Sequence, residues 1–201
     1  MDAKFVAGIV VYDNAEVLDF AGPFEVFTVT GRVRGEQPFN VHTVSQSEAP
    51  VKTRGGLSVQ PCCTLETCPV PDILVVPGGY GTRREMRNPQ VVDWIVRIAP
   101  HAGLVLSVCT GSLLLGQAGL LDGLESTTHH TQFALLAETA PCTPVRSDRR
   151  VIDNGKIVTA AGISAGIDAA LYVVARLLGN MAALETAEYM EYDWHPERFL
   201  A

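Results

Sequence analysis

One segment constrains the fold and the chemistry of this chain more than any other: an apolar run over Leu104–Val108, then Cys109, then a helical pattern opening at Thr110-Gly111-Ser112. The run predicts a buried strand that turns sharply into a helix. Such a turn presents its central side chain beside the free N–H groups and positive dipole end of the new helix. That environment favours a thiolate, so Cys109 is a candidate nucleophile. The pattern is that of a nucleophile elbow, with Ser107 in place of the first glycine of G-x-S-x-G. The alternative is an ordinary small buried cysteine.

Two further apolar runs, Phe5–Val11 and Pro71–Pro77, are typical of parallel strands that are buried on both faces. Helical patterns lie between the strands, which predicts an α/β sandwich with a largely parallel central sheet. In such sheets the reactive groups lie at the carboxyl ends of the strands. Asp19, Gly78-Gly79 and Cys109 each follow a predicted strand, so we expect all three at one edge of the sheet.

The rest of the chain supplies the other elements of this sandwich. Phe39–Ser45 alternates as a strand does, and two hairpins are expected, one over Val51–Gln60 and one around Asn154-Gly155. Pro23 predicts a helix that begins near it, which leaves Leu18-Asp19-Phe20 as a loop. Four more helices are predicted: after Asn88-Pro89, over Thr131–Thr139, over Ile163–Leu178 and over Ala182–Tyr192.

Length and composition limit the class of protein. The chain has 201 residues, 47% of them hydrophobic and 18% charged, which indicates a single globular domain over residues 1–201. The net charge of −7 and the lack of a Lys/Arg run argue against a nucleic-acid partner. No apolar run reaches the roughly 18 residues of a membrane span. The first residues lack the pattern of a signal peptide, so we expect a cytoplasmic protein with no membrane partner.

The five cysteines are an odd number, which favours free thiols over a disulfide framework. Cys62, Cys63 and Cys68 lack a paired C-x-x-C and have no histidine near them in sequence. A zinc site is therefore not expected there, and no metal is expected elsewhere.

The Gly78-Gly79-Tyr80-Gly81 loop follows a predicted strand. Glycine tolerates the dihedral angles that bring backbone N–H groups close to a ligand. Together with the N–H groups beside Cys109, Gly78 and Gly79 are candidates for an anion-stabilising hole. No lysine follows, so the loop does not match a phosphate-binding loop. The alternative is an ordinary loop with tight turns.

Five segments in register resemble the ThiJ/PfpI superfamily, and within it the isonitrile hydratase branch. The resemblance extends from about Phe5 to Tyr192. It implies a flavodoxin-like three-layer α/β fold and a homodimer with the nucleophile near the subunit interface. The segments are Leu18–Phe27, Val75–Gly79, Ser107–Ser112, Thr127–His129 and Gly162–Asp168.

The resemblance also implies roles for particular residues. Cys109 matches the nucleophile, and Asp19 matches an acidic partner that is Glu in many relatives but Asp in the hydratases. Thr110 matches the hydratases, whereas protease-like members have His at that position, which argues against a Cys-His peptidase. No cofactor is implied.

Other side chains around this centre are assigned to the substrate pocket or to proton transfer. Tyr80, His129 and Ile163 are expected to shape the substrate pocket. His129 and His130 are alternative bases, each with a second interpretation as a partly buried, hydrogen-bonded histidine. Glu25 is a further acid near the site in sequence, and its alternative is a residue that pairs or faces solvent.

The chemistry expected is addition of water to an isonitrile, R–N≡C, giving an N-substituted formamide. The Cys109 thiolate would attack the terminal carbon while protonated Asp19 supplies a proton to it. A neighbouring negative charge would keep Asp19 protonated by raising its pKa. Water would then hydrolyse the thioimidate, with ionised Asp19 as base.

Two other functions stay open from the sequence. One is a glyoxalase- or deglycase-like activity on small dicarbonyls, for which Glu rather than Asp19 is the usual acid. The other is a free-standing ligand or oxidation sensor related to the N-terminal domain of AraC-type regulators. In this chain about ten residues follow the last predicted helix, which leaves no room for a helix-turn-helix module. An exposed thiol of low pKa at Cys109 would oxidise readily.

Overall fold

The computed structural model of the protein describes residues 3–198. Its main feature is a sheet of seven strands, with a separate two-stranded hairpin beside it. The strands are β1 (Phe5–Val10), β2 (Phe39–Ser45), β3 (Val51–Lys52), β4 (Ser58–Val59), β5 (Cys63–Thr64), β6 (Ile73–Val76), β7 (Leu104–Val108), β8 (Val151–Asp153) and β9 (Ile157–Ala160).

The strand order of the main sheet is β5-β2-β1-β6-β7-β9-β8, and every neighbouring pair is parallel except β8 with β9. The central strands β6 and β7 are buried along their whole length, as their continuous apolar sequences predict. In register, Val76 of β6 lies opposite Ser107 of β7, so the two strands end side by side. The largely parallel, flavodoxin-like sheet is confirmed.

Helices cover both faces of this sheet and complete the three layers. They are α1 (Val17–Val29), α2 (Thr82–Glu85), α3 (Pro89–Ile98), α4 (Gly111–Gln117), α5 (Phe133–Thr139), α6 (Ala165–Leu178) and α7 (Asn180–Tyr189). On one face α1, α6 and α7 pack against each other, and on the other α3 and α5 pack beside α4. No helix within residues 3–198 combines the length and the apolar character that crossing a membrane requires.

The prediction that Pro23 begins a helix was wrong. Pro23 lies inside α1, and Leu18-Asp19-Phe20 are helical rather than a loop. A proline inside a helix costs about 3 kcal/mol because it removes a hydrogen bond and crowds the preceding turn. Here α1 packs closely on α6: a Cβ on Gly22 would lie 3.0 Å from Ile167, and one on Gly166 would lie 3.5 Å from Pro23. Tertiary packing of the two helices therefore offsets the proline, and Asp19 sits in the first helical turn.

Most other predicted elements are present. Both hairpins form, as β3–β4 and β8–β9, and Asn88 caps α3 by accepting a hydrogen bond from the Gln90 N–H. The segment predicted as one helix from Thr131 begins with a 3-10 turn over His130–Gln132 before α5. The last helix starts at Asn180, slightly earlier than predicted.

Candidate active site

The backbone at Cys109 has the geometry of a nucleophile elbow. Cys109 lies between the end of β7 and the start of α4 and has φ of 57°, a left-handed conformation that is strained for a residue other than glycine. Its N–H donates to the carbonyl oxygens of Ala160 and Ala161, and its own carbonyl accepts from Thr128 Oγ1 at 2.9 Å. These bonds from neighbouring segments hold the strained turn in place.

A close approach of two loops builds the wall beside the cysteine. A Cβ on Gly111 would stand 2.0 Å from the Val76 carbonyl oxygen, and one on Gly78 would stand 2.4 Å from the Thr110 nitrogen. Glycine is thus required at both positions for the ends of β6 and β7 to meet. The buried Tyr12 hydroxyl donates to the Pro77 carbonyl at 2.5 Å and so holds the loop that follows β6.

Asp19 is fully buried at this edge of the sheet. Its Oδ2 accepts the Gly78 N–H at 3.0 Å, and its Oδ1 makes no hydrogen bond of ordinary geometry. The carboxyl interacts with the Cys109 thiol and with the Ile163 N–H. Asp19 and Cys109 therefore form a coupled pair of acids with little contact with solvent.

Burial governs the protonation of this pair. It raises the pKa of Asp19 to about 7, opposed by the hydrogen bonds from Gly78 and Cys109. Burial also raises the pKa of the Cys109 thiol to about 12, and the Asp19 charge acts in the same direction. The N–H groups of Thr110 and Ile163, which face the sulfur, only partly oppose these effects.

Two expectations about this pair were therefore wrong. The elbow does not make Cys109 a ready thiolate, because only 5% of the residue is exposed and desolvation outweighs the helix N-terminus. The main cause of the raised Asp19 pKa is burial, not a neighbouring thiolate. The same burial contradicts the expectation of an exposed thiol of low pKa.

The predicted hole made by Gly78 and Gly79 is not formed as expected. The Gly78 N–H is bound to Asp19, and the Gly79 N–H donates to Thr110 Oγ1 at 2.9 Å. Both donors are thus consumed within the protein. The N–H groups that face the sulfur belong instead to Thr110 and to Ile163, the latter held at φ of 52°.

Thr110 joins the elbow to the glycine loop. Besides the Gly79 contact, its hydroxyl lies 3.0 Å from Thr82 Oγ1, which in turn donates to the Gly79 carbonyl at 2.8 Å. Since the Thr110 hydroxyl has these partners, it is occupied in holding the loop, and its N–H is the part directed at the sulfur.

A cavity of about 340 Å³ opens beside Cys109. A larger polar cleft of about 600 Å³ lies at the ends of β1 and β2, but it does not contain the cysteine and does not serve this site. The predicted pocket residues Tyr80, His129 and Ile163 all line the smaller cavity. The whole lining consists of Glu16, Arg54, Gly79, Tyr80, Arg83, Cys109, Thr110, His129, Thr131, Gln132 and Ile163.

The two histidines differ in position. His129 lines the cavity, its Nδ1 lies 2.9 Å from Thr131 Oγ1, and its ring stacks on His130 at 4.5 Å between centroids. Burial lowers the pKa of His129, so its imidazole is neutral at pH 7. His130 is exposed and does not line this cavity. Glu25 faces solvent on α1.

Sequence reasoning missed the charged residues of the cavity: Glu16, Arg54 and Arg83. Glu16 and Arg54 form an ion pair at 3.0 Å, and Arg83 follows the glycine loop at the start of α2. Arg83 belongs to the Arg83-Arg84 pair, which as a pattern is typical of a solvated face. One local signal pointed to Arg83: it comes directly after the loop that ends in Tyr80-Gly81-Thr82.

Within residues 3–198 no three His, Cys, Asp or Glu side chains are grouped so that they could hold a metal ion. Cys62, Cys63 and Cys68 are all free, and Cys62 is exposed. Burial raises the pKa of Cys68 to about 12, so the group is not a set of thiolates.

The fold and the elbow define a class: flavodoxin-like α/β proteins with a cysteine at the nucleophile turn. The DJ-1/PfpI family model matches residues 6–176 of this chain. The chain therefore belongs to the DJ-1/PfpI family.

Relatives of established description include an isonitrile hydratase of Pseudomonas putida. It is 39% identical over 185 residues, which cover 92% of this chain and 77% of that protein. A solved ThiJ/PfpI family protein from Pseudomonas syringae superposes with a TM-score of 0.86 at 30% identity, covering 98% of this chain and 78% of the other. The HTH-type transcriptional regulator GbdR of Pseudomonas aeruginosa is 26% identical over 92% of this chain, which spans half of the regulator.

Proposed function

We propose that this protein is an isonitrile hydratase, converting a small isonitrile to an N-substituted formamide. The observation that carries the proposal is the buried Asp19–Cys109 pair at the elbow, beside a cavity of about 340 Å³. The 39% identity to an isonitrile hydratase supports the same reaction. The terminal carbon of an isonitrile accepts a nucleophile and a proton, and the pair offers one of each.

The first step follows from the protonation of the pair. With pKa values of about 7 for Asp19 and about 12 for Cys109, the reactive form above pH 7 is a carboxylate beside a thiol. Asp19 accepts the S–H proton as the sulfur attacks the terminal carbon, and it delivers that proton to the same carbon. The S–C and C–H bonds form, and the product is the thioimidate R–N=CH–S–Cys109.

The second step consumes water. Asp19, again a carboxylate, removes a proton from a water molecule that attacks the thioimidate carbon. Asp19 passes that proton to the nitrogen. The tetrahedral intermediate then collapses: its hydroxyl gives up its proton through Asp19 to the departing Cys109 sulfur, which restores the thiol. The formamide R–NH–CHO leaves. The Thr110 and Ile163 N–H groups stabilise the negative charge on the sulfur as it attacks and as it leaves.

The test is turnover of cyclohexyl isocyanide by the wild type, Cys109→Ala and Asp19→Ala, followed by chromatography of the formamide. We expect formamide from the wild type alone, with each variant folded by circular dichroism. Full activity of Cys109→Ala would contradict a mechanism in which Cys109 is the nucleophile. No turnover by a folded wild type of either cyclohexyl isocyanide or a charged small isonitrile would reject the hydratase.

Two alternatives are separated by direct assays. Turnover of methylglyoxal to lactate would indicate glyoxalase-like chemistry, which Asp19 in place of Glu disfavours. The 26% identity to a transcriptional regulator favours a ligand-sensing role as the second candidate. If the protein is a sensor, the Cys109→Ala variant should bind the ligand as tightly as the wild type does, and neither should form a product. The burial of Cys109 disfavours an oxidation sensor.

We further propose, from the family resemblance, that the protein acts as a homodimer in the cytoplasm and as a single domain. Sedimentation velocity at micromolar concentration tests the dimer directly: we expect one species of twice the monomer mass. A single monomeric species with full activity would reject it.

A further inference from the structure

Arg83 carries a positive charge that no described carboxylate neutralises. Its Nη1 donates to the Gly79 carbonyl at 3.3 Å and its Nη2 to Gln132 Oε1 at 2.5 Å, both neutral oxygens. By contrast Arg54, on the same cavity, is paired with Glu16 at 3.0 Å. The two arginines and the one carboxylate of the cavity lining sum to one positive charge, and Arg83 is the arginine that the carboxylate does not pair with.

The Arg83 guanidinium is also held in a fixed place. Its two neutral contacts use two of the five N–H donors, so three remain for a ligand. The guanidinium carbons of Arg83 and Arg54 lie 5.6 Å and 5.8 Å from the centroid of the Tyr80 ring. A planar fork fixed on one side by neutral acceptors is suited to bidentate binding of a carboxylate on the other.

The guanidinium is connected to the nucleophile through the loop that both contact. Arg83 donates to the Gly79 carbonyl, and the Gly79 N–H donates to Thr110 Oγ1, next to Cys109. The Arg83 and Cys109 side chains both line the cavity of about 340 Å³. It has room for one small molecule that spans the sulfur and the guanidinium.

We propose that Arg83 is a specificity-determining residue that binds a carboxylate of the substrate, so that the preferred substrates are small isocyano carboxylates. This inference rests on the proposed function for the reacting group, and on Arg83 for the anionic group. Arg83 donates to the Gly79 carbonyl and to Gln132 Oε1 rather than to Cys109 or Asp19, so its proposed part is to select the substrate and not to activate the thiol.

The kinetic test compares straight-chain isocyano carboxylates, with one to three methylenes between the two groups, with their methyl esters. We expect kcat/KM of the wild type to favour at least one carboxylate over its ester by about 10- to 100-fold, the range of a charge-assisted hydrogen bond. Arg83→Gln should remove that preference, because it lowers kcat/KM for the acids far more than kcat/KM for the esters. Arg87→Gln, an exposed arginine of the same segment outside the cavity, is the matched control and should keep the preference. Equal turnover of all acids and esters by the wild type would overturn the inference and leave the hydratase intact.

A second measurement does not depend on hydratase activity. Iodoacetate and iodoacetamide alkylate the same sulfur, so the ratio of their rates at Cys109, read by peptide mass spectrometry, cancels the thiolate fraction. We expect the rate with iodoacetate divided by the rate with iodoacetamide to be at least tenfold lower in Arg83→Gln than in the wild type. In Arg87→Gln this ratio should equal that of the wild type. An unchanged ratio in Arg83→Gln would refute the anion subsite. A changed ratio without isonitrile turnover would reject the hydratase and keep the subsite.

Discussion

Asp19 Oδ2 accepts the Gly78 N–H at 3.0 Å, and this bond joins the first turn of α1 to the end of β6. The bond uses one carboxylate oxygen for position and leaves Oδ1 without a hydrogen bond of ordinary geometry. Burying a carboxyl oxygen that lacks a full hydrogen bond costs free energy, and the same arrangement leaves Oδ1 able to accept a proton. This relationship explains why the glycine loop is part of the site although its N–H groups do not face the substrate.

Asp19→Asn separates position from proton transfer. The amide has nearly the shape of the carboxyl, and its oxygen still accepts the Gly78 N–H, but it cannot accept the Cys109 proton. We expect kcat for isonitrile hydration to fall by about 10²- to 10⁴-fold, the usual contribution of a positioned acid–base group. Glu25→Gln, on the solvent face of the same helix, is the control and should retain wild-type kcat. An Asp19→Asn enzyme with more than half of the wild-type rate would exclude the proposed base.

How much of this site the sequence reveals depends on how local its signal is. Cys109 is marked by a continuous strand that turns into a helix within three residues, so its place was predictable. Asp19 was predicted at the right edge of the sheet but in a loop, because the packing of Gly22 and Gly166 that overrides Pro23 involves residues far apart in sequence.

The protonation of the pair was not predictable for a similar physical reason. Burial of Cys109 depends on the segment around Ile163, more than fifty residues later in the chain, which no local pattern places against the sulfur. Arg83 has only weak local signals, its place after the glycine loop and its arginine neighbour. That both of its contacts are neutral oxygens is visible only in the structure.

The activity should depend on pH through Asp19. The proposed base is the carboxylate, and burial places its pKa at about 7 in the folded protein. We therefore expect kcat/KM to rise about tenfold per pH unit below 7 and to level off above it, while the Cys109 thiol with a pKa of about 12 stays protonated. Stopped assays between pH 5 and 9 measure the profile. A profile that is flat across this range, or that falls with rising pH, would contradict Asp19 as the base.

The same carboxyl should make the free energy of unfolding depend on pH. Stability should fall as pH rises, whereas activity should rise. The folded pKa of this carboxyl, about 7, lies above the ordinary 3.8, so between these values the folded protein holds a proton that the unfolded chain has lost. Folding is thus progressively weakened as pH rises from about 4 to 7, by on the order of 4 kcal/mol at most. Urea unfolding of wild type and Asp19→Asn tests this. The variant should gain stability relative to the wild type across that interval and keep a constant difference above it. A difference independent of pH would show that the carboxyl is not buried as described.

Thr110 offers the sharpest test of how the elbow and the glycine loop are joined. Thr110→Val keeps the volume of the side chain but leaves the Gly79 N–H without its acceptor and Thr82 Oγ1 without one of its partners. Leaving such buried groups unsatisfied costs about 1–3 kcal/mol, whereas Thr110→Ser keeps both bonds. We expect chemical denaturation to show that loss for Val alone, with kcat reduced for Val and largely retained for Ser. Thr28→Val, which removes a hydroxyl bonded only within α1, is the matched control and should change the free energy of unfolding by less than about 0.5 kcal/mol. If Val at position 110 were as stable and active as Ser, the hydroxyl would have no part in holding the loop against the nucleophile.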